Sequence, residues 1–487
     1  MEGTKKTSSS EGETPGPSRL DRVVEKASRL VTPSKPEIER LKRVATKVSA
    51  LIENRILQEP ASEAPKLSIG GSYARGTWLR GSLDIDFFLL YPTSYPRERL
   101  ETRAVDFAKK TIEGYPTNMR FAEHPYVEAF VDNVRVNLVP CYDVAPGEWK
   151  SAADRSPYHT KYMSLKLTER LRLEARLLKK FVKASGVYGA EVKVQGFSGY
   201  VCEVLTLKNG SFHGSMESFS RLNPKDVISV EPYDQDLAAS SFKSAIVILD
   251  PVDTTRNLGS AISARSVARL AIQSRRFLAN PKLSYFSERK EESLKKRERI
   301  APELSERMLV LTFNTSKRSP DILWGQLKKS VGALDEKLSS LGYQVSRSSA
   351  AVSEEGTKCA FLFLLVSTSI PSLQLRAGPE YFRGEEVDKY FRKNQKRALL
   401  TWIADDGRVK SLFRREKFLL DAKDALNYLL SKEKIREIGL SEEIRNELSN
   451  RKSKFNTHYA SELLSGRKKE ELIPWLSSEI ARLGLRE

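Results

Sequence analysis

Apolar positions recur along this chain in two rhythms, and the changes between them mark its parts. From Ser34, residues Ile38, Leu41, Val44, Val48, Leu51, Ile52 and Ile56 return every three or four positions. That spacing lays one helical stripe against a core. Ser34 suits the cap of such a helix and Pro36 its first turn. A short strand is expected at Lys66 to Ile69, running into Gly70-Gly71-Ser72 and a brief helical stretch to Leu79. A strand over Leu83 to Leu90 and a helix over Arg97 to Ile112 follow. Two alternating runs, Tyr126 to Val131 and Val134 to Tyr142, flank Asp132-Asn133, residue types that accept the positive φ of a tight hairpin turn.

Residues 166–279 read as mainly helical, interrupted by a buried strand at Ala245 to Leu249. Beyond 305 the rhythm changes again. Met308 to Phe313 reads as a strand, Pro320 to Leu341 as a helix, and Gln344 to Val352 with Lys358 to Val366 as a hairpin. The C-terminal stretch is helical and charged with both signs. Residues 1–30 are poor in apolar positions and open with a Ser, Thr, Gly and Pro-rich run, so a flexible tail is expected there. The reading is of a mixed α/β (α+β) protein in five parts: a tail over 1–30, an α/β module over 34–150, a mainly helical part over 151–280, a second α/β part over 281–420 and a helical part over 421–487.

The apolar runs, such as Ala245 to Leu249 and Ala360 to Val366, fall far short of the ~20 residues that span a membrane. No apolar segment follows the early lysines, and Glu2, Glu11 and Glu13 argue against a transit peptide. Cys141, Cys202 and Cys359 are scattered without CxxC or His spacing. Neither a disulfide framework nor a zinc site is expected, and a reducing, cytoplasmic setting is. Charge adds a direction. The 487 residues include 82 Lys and Arg against 63 Asp and Glu, a net +19. Such an excess favours polyanionic partners, nucleic acid above all, although a solubility adaptation gives the same number.

The densest chemistry lies between Ser68 and Asp86, a stretch of 19 residues. Gly70 and Gly71 permit close backbone approach. Ser72 stands at a helix start, where free N–H groups suit a phosphate, and Arg75 adds a charged fork one turn on. Asp84 and Asp86 are two apart on a strand, so both leave the same face. Two such carboxylates repel by about 4 kcal/mol at an effective dielectric near 20. A divalent ion relieves that, and Mg²⁺ takes oxygen ligands together with substrate phosphates. A lone GlyGlySer is usually a turn and a lone AspXAsp a solvated face; their conjunction, with Leu83, Ile85 and Phe87 anchoring the opposite face, is what carries the reading.

GlyGlySer, a short spacer and Asp84-Ile-Asp86 resemble the mark of the DNA polymerase β-like nucleotidyltransferase superfamily. The closer resemblance is to the archaeal, class I CCA-adding tRNA nucleotidyltransferases. It extends through Glu123-His-Pro-Tyr126, Val139-Pro-Cys-Tyr142, Ala153 to Thr160, Gly186 to Glu191, Gly196 to Tyr200 and Asp250-Pro-Val-Asp-Thr-Thr-Arg-Asn257. The resemblance covers residues from 34 onward. It implies a catalytic head, a helical neck, an α/β body and a helical tail contacting tRNA. It implies template-independent addition of CCA to tRNA from CTP and ATP, with two Mg²⁺ ions and release of pyrophosphate; a homodimer is compatible with it. By motif, Asp84 and Asp86 would be catalytic and hold Mg²⁺. Gly71, Ser72, Arg75, His159, Lys179, Tyr188 and Arg256 would contact nucleotide, with Arg256 helping to read the base.

Each residue has a plainer reading. His159 follows Ser-Pro-Tyr, a turn-like sequence. Lys179 belongs to a run with Arg172, Arg176, Lys180 and Lys183 that shares a helical face, ordinarily a solvated one. Tyr188 could be core, and Trp78 and Phe197 suit packing better than base stacking. Arg256 follows an apolar strand and sits where a loop presents a side chain. Lys290 to Arg299 and Lys389 to Arg397 are RNA-contact candidates, with solvated surface as the alternative.

One position departs from the family pattern. A third carboxylate is expected where this chain has Asn137, which can ligate a metal through its carbonyl but brings no charge. If Asp132-Asn133 is a two-residue turn, Glu128 lies directly opposite Asn137 on the same face. Glu128 would then supply the missing metal-site charge from the neighbouring strand, or it simply bonds Asn137 or faces solvent. Two other functions stay open at this point: an RNA-tailing transferase of the poly(A) type, and a catalytically impaired tRNA-binding homologue.

Overall fold

In the computed structural model, which describes residues 18–121, 125–223, 226–233, 242–287, 302–450 and 455–465 with Leu476 and Ile480, the first residue already caps a helix. Ser18 Oγ accepts from Asp21 N at 3.1 Å, and the Asp21 carboxylate accepts from Ser18 N at 3.0 Å, the reciprocal cap of a helix start. The helix, α1 (Arg19–Val31), buries Ala27 and Val31 while Leu20, Val23 and Val24 pack on the same core. The flexible tail expected over 1–30 is therefore corrected over 19–30. The Ser and Gly-rich run before it lowered the mean apolar content and hid the 20, 23, 24, 27, 31 spacing. As expected, α2 (Lys35–Ile56) starts at Ser34, with Glu37 closing the capping box and Leu41, Val44, Val48 and Ile52 buried.

The chain divides into two compact units, residues 1–288 and 289–487. In the first, β1 (Lys66–Gly70) leads through α3 (Gly71–Arg75) to β2 (Asp84–Tyr91). The expected helix over 97–112 is split at Thr102 into α4 (Arg97–Glu101) and α5 (Arg103–Thr111). There follow β3 (Thr117–Phe121), β4 (Pro125–Val131) and β5 (Val134–Tyr142). The sheet order is β1-β2-β5-β4-β3, with β2 and β5 parallel and the other pairs antiparallel. Asp132 and Asn133 do form the turn, at φ of 50° and 61°. The alternation of β2 sends Ile85, Phe87 and Leu89 into a core with α2, α5, Val127, Val136 and Leu138. It sends Asp84 and Asp86 to the opposite face.

The rest of this unit is helical: α6 (Arg155–Lys166), α7 (Glu169–Ala184), α8 (Gly199–Asn209), α9 (Phe212–Ser220) and α10 (Ala264–Ala279). They enclose a cluster of edge-to-face aromatic rings, Phe181, Phe212, Phe277 and Phe286. The expected strand at Ala245 to Leu249 shrinks to β7 (Val247–Ile248), parallel to β6 (Val227–Ile228), although Ile246 through Leu249 are all buried.

In the second unit, α11 (Pro302–Glu306) precedes β8 (Met308–Asn314), α12 (Pro320–Leu341), β9 (Val345–Val352) and β10 (Lys358–Leu365). Next come β11 (Leu373–Glu380), α13 (Gly384–Asn394), β12 (Leu400–Ile403), β13 (Arg408–Arg414), α14 (Ala422–Leu429), α15 (Glu442–Ser449), β14 (Asn456–Tyr459) and α16 (Ala460–Ser465). An antiparallel sheet β14-β8-β10-β9 has apolar side chains on both faces, and β11-β13-β12 form a smaller sheet. The C-terminal part is thus not wholly helical: β14, four residues of mostly polar character, takes the edge beside β8. Lys389, Arg392, Lys393, Lys396 and Arg397 are exposed on and after α13. Lys290 to Arg299, and Glu123-His of the motif before Tyr126, lie outside the described residues. Among the described residues no helix is long and apolar enough to cross a membrane.

Candidate active site

β1 pairs its last residue, Gly70, with Asp86, and the chain turns into α3 directly beneath that carboxylate. Gly71 has φ +69°, and a Cβ built there would lie 1.9 Å from Asp86 Oδ2. Any side chain at this position would meet both a left-handed backbone and the acid. A Cβ on Gly70 would strike the Phe88 ring at 2.4 Å. The turn is moulded onto β2, which is why two glycines precede Ser72.

β5 answers each acid of β2 in parallel register. Arg135 pairs with Asp84, its Nη2 3.2 Å from Asp84 Oδ2. Asn137 pairs with Asp86 and donates from Nδ2 to Asp86 Oδ1 at 2.7 Å. The other end of the Asn137 amide, Oδ1, is buried and has no hydrogen-bond partner among the described residues. Burial pushes the Asp86 carboxyl above its ordinary range; the Asn137 hydrogen bond opposes this and the Asp84 charge adds to it. Two carboxylates and an unpartnered amide oxygen form an all-oxygen donor set, the kind a hard divalent cation takes. Asp84, Asp86 and Asn137 therefore fit such an ion. Among the described residues no group of three or more His, Cys, Asp and Glu has metal-site geometry.

Glu128 does lie opposite Asn137, as the hairpin register requires, but its carboxylate is spent elsewhere. Its Oε1 accepts from Arg120 Nη2 at 2.9 Å, Arg120 Nε at 3.1 Å and Asn118 Nδ2 at 3.2 Å. These partners come from β3, a five-residue strand in which Met119 and Phe121 are the apolar positions, too few to mark it in the sequence. The proposal that Glu128 completes the metal site is corrected on that ground: Arg120 already neutralises it.

Behind the turn lies a fully buried carboxylate, Glu203 of α8. Arg75 Nε approaches its Oε2 to 2.6 Å as an ion pair whose angle lies outside hydrogen-bond geometry. Lys179 Nζ donates to Glu203 Oε1 at 2.6 Å, to Thr77 Oγ1 at 2.9 Å and to Thr77 O at 3.1 Å. Burial opposes ionisation of Glu203, yet the two cations hold it below the usual carboxylate range. Burial, with the Arg75 charge, lowers Lys179. The Glu203 charge works against the lowering of Lys179, while the two cations together outweigh the burial of Glu203. The expectation of a solvated face for the α7 basic run is corrected here. Lys179 is 1% exposed, and Arg176 Nη2 donates to Gly76 O at 2.6 Å, because this face packs on the loop that follows α3.

A second buried acid, Asp250, follows β7. Its Oδ2 lies 2.8 Å from His159 Nε2 and accepts from Arg256 Nη1 at 3.1 Å. His159 is not in a turn but inside α6, where Pro157 is tolerated in the first turn. Its ring stacks on Tyr200 with centroids 4.0 Å apart, and burial lowers its pKa. The Arg75 guanidinium lies 5.8 Å from the same Tyr200 ring, which connects the two acids' clusters. Tyr188 is partly buried with its phenol against Gly199, and its ionisation is pushed up by burial. Trp78 and Phe197 are packed in cores. Sequence reasoning did not single out Glu203, Asp250, Thr77 or Arg135. Glu203 had a signal: an acid inside Val201-Cys-Glu-Val-Leu demands a buried cation.

The comparisons with known proteins follow this layout. Residues 54–159 match a nucleotidyltransferase domain family, residues 173–287 the second domain of tRNA nucleotidyltransferases, and residues 305–453 the C-terminal domain of CCA-adding enzymes. The CCA-adding enzyme of Saccharolobus shibatae is 34% identical over 365 residues, covering 74% of this chain and 84% of that protein. That of Sulfolobus acidocaldarius is 34% identical over 415 residues, covering 84% and 92%. That of Pyrobaculum neutrophilum is 34% identical over 383 residues, covering 77% and 87%. With three domain families in consecutive order and a third of positions shared over most of each relative, the chain belongs to the CCA-adding enzyme family of tRNA nucleotidyltransferases.

Proposed function

We propose that the protein adds CCA to the 3′ end of tRNA without a template, taking CTP and ATP and releasing pyrophosphate. The observation that carries this is the Gly70-Gly71-Ser72 turn laid against the Asp86 carboxylate, with Asp84 on the same face and the unpartnered Asn137 Oδ1 beside it. Family membership supports it. Asp84, Asp86 and Asn137 would hold Mg²⁺, which when bound would neutralise phosphate charge and polarise the reacting oxygens. Ser72 and Arg75 would face the nucleotide phosphates, with His159 and Tyr188 beside triphosphate and ribose. Lys179 would act from behind, lending charge while its three donors stay on Thr77 and Glu203. Arg256 would meet the base edge, since its guanidinium has donors to spare after Asp250 takes one. The net +19 and the exposed basic residues of 389–397 suit phosphates of the acceptor arm, read by shape.

The test is a tRNA transcript lacking its last three nucleotides, incubated with CTP, ATP and Mg²⁺, its 3′ ends then sequenced. CCA ends are expected. A run of adenosines would replace this reading with a poly(A)-type tailing transferase. Tight tRNA binding without incorporation would replace it with a binding protein.

A further inference from the structure

We infer that Asp250 is a positioning residue that ties the arginine meeting the incoming base to the histidine beside its triphosphate, so that nucleotide choice and phosphate grip are coupled. This rests on the nucleotidyl-transfer reading above. Asp250 is fully buried and makes four side-chain contacts. Oδ1 accepts from Val252 N at 3.1 Å and from Tyr200 OH at 3.3 Å. Oδ2 alone meets both His159 Nε2, at 2.8 Å, and Arg256 Nη1, at 3.1 Å.

The division between the two oxygens separates two roles. Oδ1 shapes the loop and holds α8. Among the described residues Oδ2 serves the two basic groups assigned to the nucleotide. One comes from α6, which packs beside the GlyGlySer turn, and the other from the loop after β7. The backbone reinforces the link, because Asp250 N donates to Arg256 O at 3.0 Å. The Arg256 side chain is 38% exposed while Asp250 is sealed, so the guanidinium is anchored at one corner and presents the rest outward. The charged or titratable groups facing this pair are Arg75, Tyr200, and Asp253, itself paired with Arg155 at 2.9 Å. None offers Oδ2 a substitute. Two donors sharing one oxygen compete for its lone pairs and fix each other's direction, so moving one must be felt by the other.

The test is a double-mutant cycle on CTP affinity, measured by calorimetry on the full chain. His159→Gln and Arg256→Gln, singly and together, should be non-additive by about threefold or more. In an Asp250→Asn background the same cycle should become additive. Asp250→Asn itself should raise KM for CTP more than it lowers kcat, and should relax selection of CTP over UTP by about tenfold, the scale of one charge-assisted hydrogen bond. Additivity of the two substitutions in the wild-type background overturns the inference, and this cycle decides the question even where Asp250→Asn does not fold. Retained CTP-over-UTP selection in a folded Asp250→Asn variant overturns it too. Failure of the wild type to bind CTP would instead refute the underlying nucleotide site, a result the same titration separates.

Discussion

Replacing Asn137 by Asp tests the proposed cation site of Asp84, Asp86 and Asn137. In the ion-free protein the substitution removes the 2.7 Å bond from Asn137 Nδ2 to Asp86 Oδ1 and sets a second anion against the first. Two unit charges at ~4 Å repel by about 4 kcal/mol at an effective dielectric of 20. Protonation of one of the two acids limits the cost to about this much. The shared proton then restores a hydrogen bond between the two acids. The expected loss is therefore about 3–4 kcal/mol, roughly 6–15 °C in the melting transition of the first unit. Millimolar Mn²⁺ or Mg²⁺ should return most of it, because a cation held by three carboxylates removes the repulsion. The assay is a pair of melting curves for wild type and variant, one in chelator and one with the ion. Equal destabilisation in both conditions, or no loss in chelator, would refute the placement of Asn137 and Asp86 around a common cation.

Four further outcomes are expected. Arg135→Gln should tighten Mn²⁺ binding several-fold by calorimetry, since it frees Asp84 from a guanidinium 3.2 Å away; unchanged affinity would mean the ion does not meet Asp84. Glu203→Gln should cost about 3–5 kcal/mol in chemical unfolding, because it leaves Arg75 and Lys179 as buried cations without their anion; a near-neutral result would contradict the triad. His159 has its folded pKa depressed below the ordinary 6.5 by burial. Its contribution to stability is present above that value and lost as pH falls through the depressed one, so His159→Gln should flatten the melting-temperature slope below pH 6.5. A chain beginning after Val31 should melt several degrees lower, since α1 supplies Ala27 and Val31 to the helical core; an unchanged transition would show that α1 adds nothing to it.

How far the sequence reaches depends on whether a feature is local. The β4–β5 register could be counted outward from Asp132-Asn133, because a two-residue turn fixes every pair beyond it, and Glu128 does face Asn137. What Glu128 does there could not be counted. Its partner Arg120 lies on β3, a five-residue strand with few apolar positions, brought beside β4 only by the sheet. The shared face of Asp84 and Asp86 follows from the strand period alone. The closeness of Gly71 to Asp86 depends on β1 and β2 pairing across a turn, and periodicity is silent on that.

The basic side chains show the same limit more sharply. Arg75, Lys179, His159 and Arg256 could be picked out as nucleotide-facing by motif, and the natural expectation for such groups is positive charge left open for a triphosphate. Instead two acids, Glu203 and Asp250, hold all four. Glu203 lies 24 residues from Lys179 and inside an apolar helix, and Asp250, although only six residues from Arg256, lies 91 from His159, so no local pattern brings the histidine to it. The arrangement follows from desolvation. Cations buried in advance of an anionic substrate need an anion while they wait, or they would neutralise or disrupt the fold. One carboxylate for two basic groups meets that need and still leaves net positive charge on the Arg75, Lys179 and Glu203 cluster. On the proposed reading the site would be set up before nucleotide arrives, with its basic groups already oriented, and an incoming triphosphate would add charge to a lattice that does not have to be assembled around it.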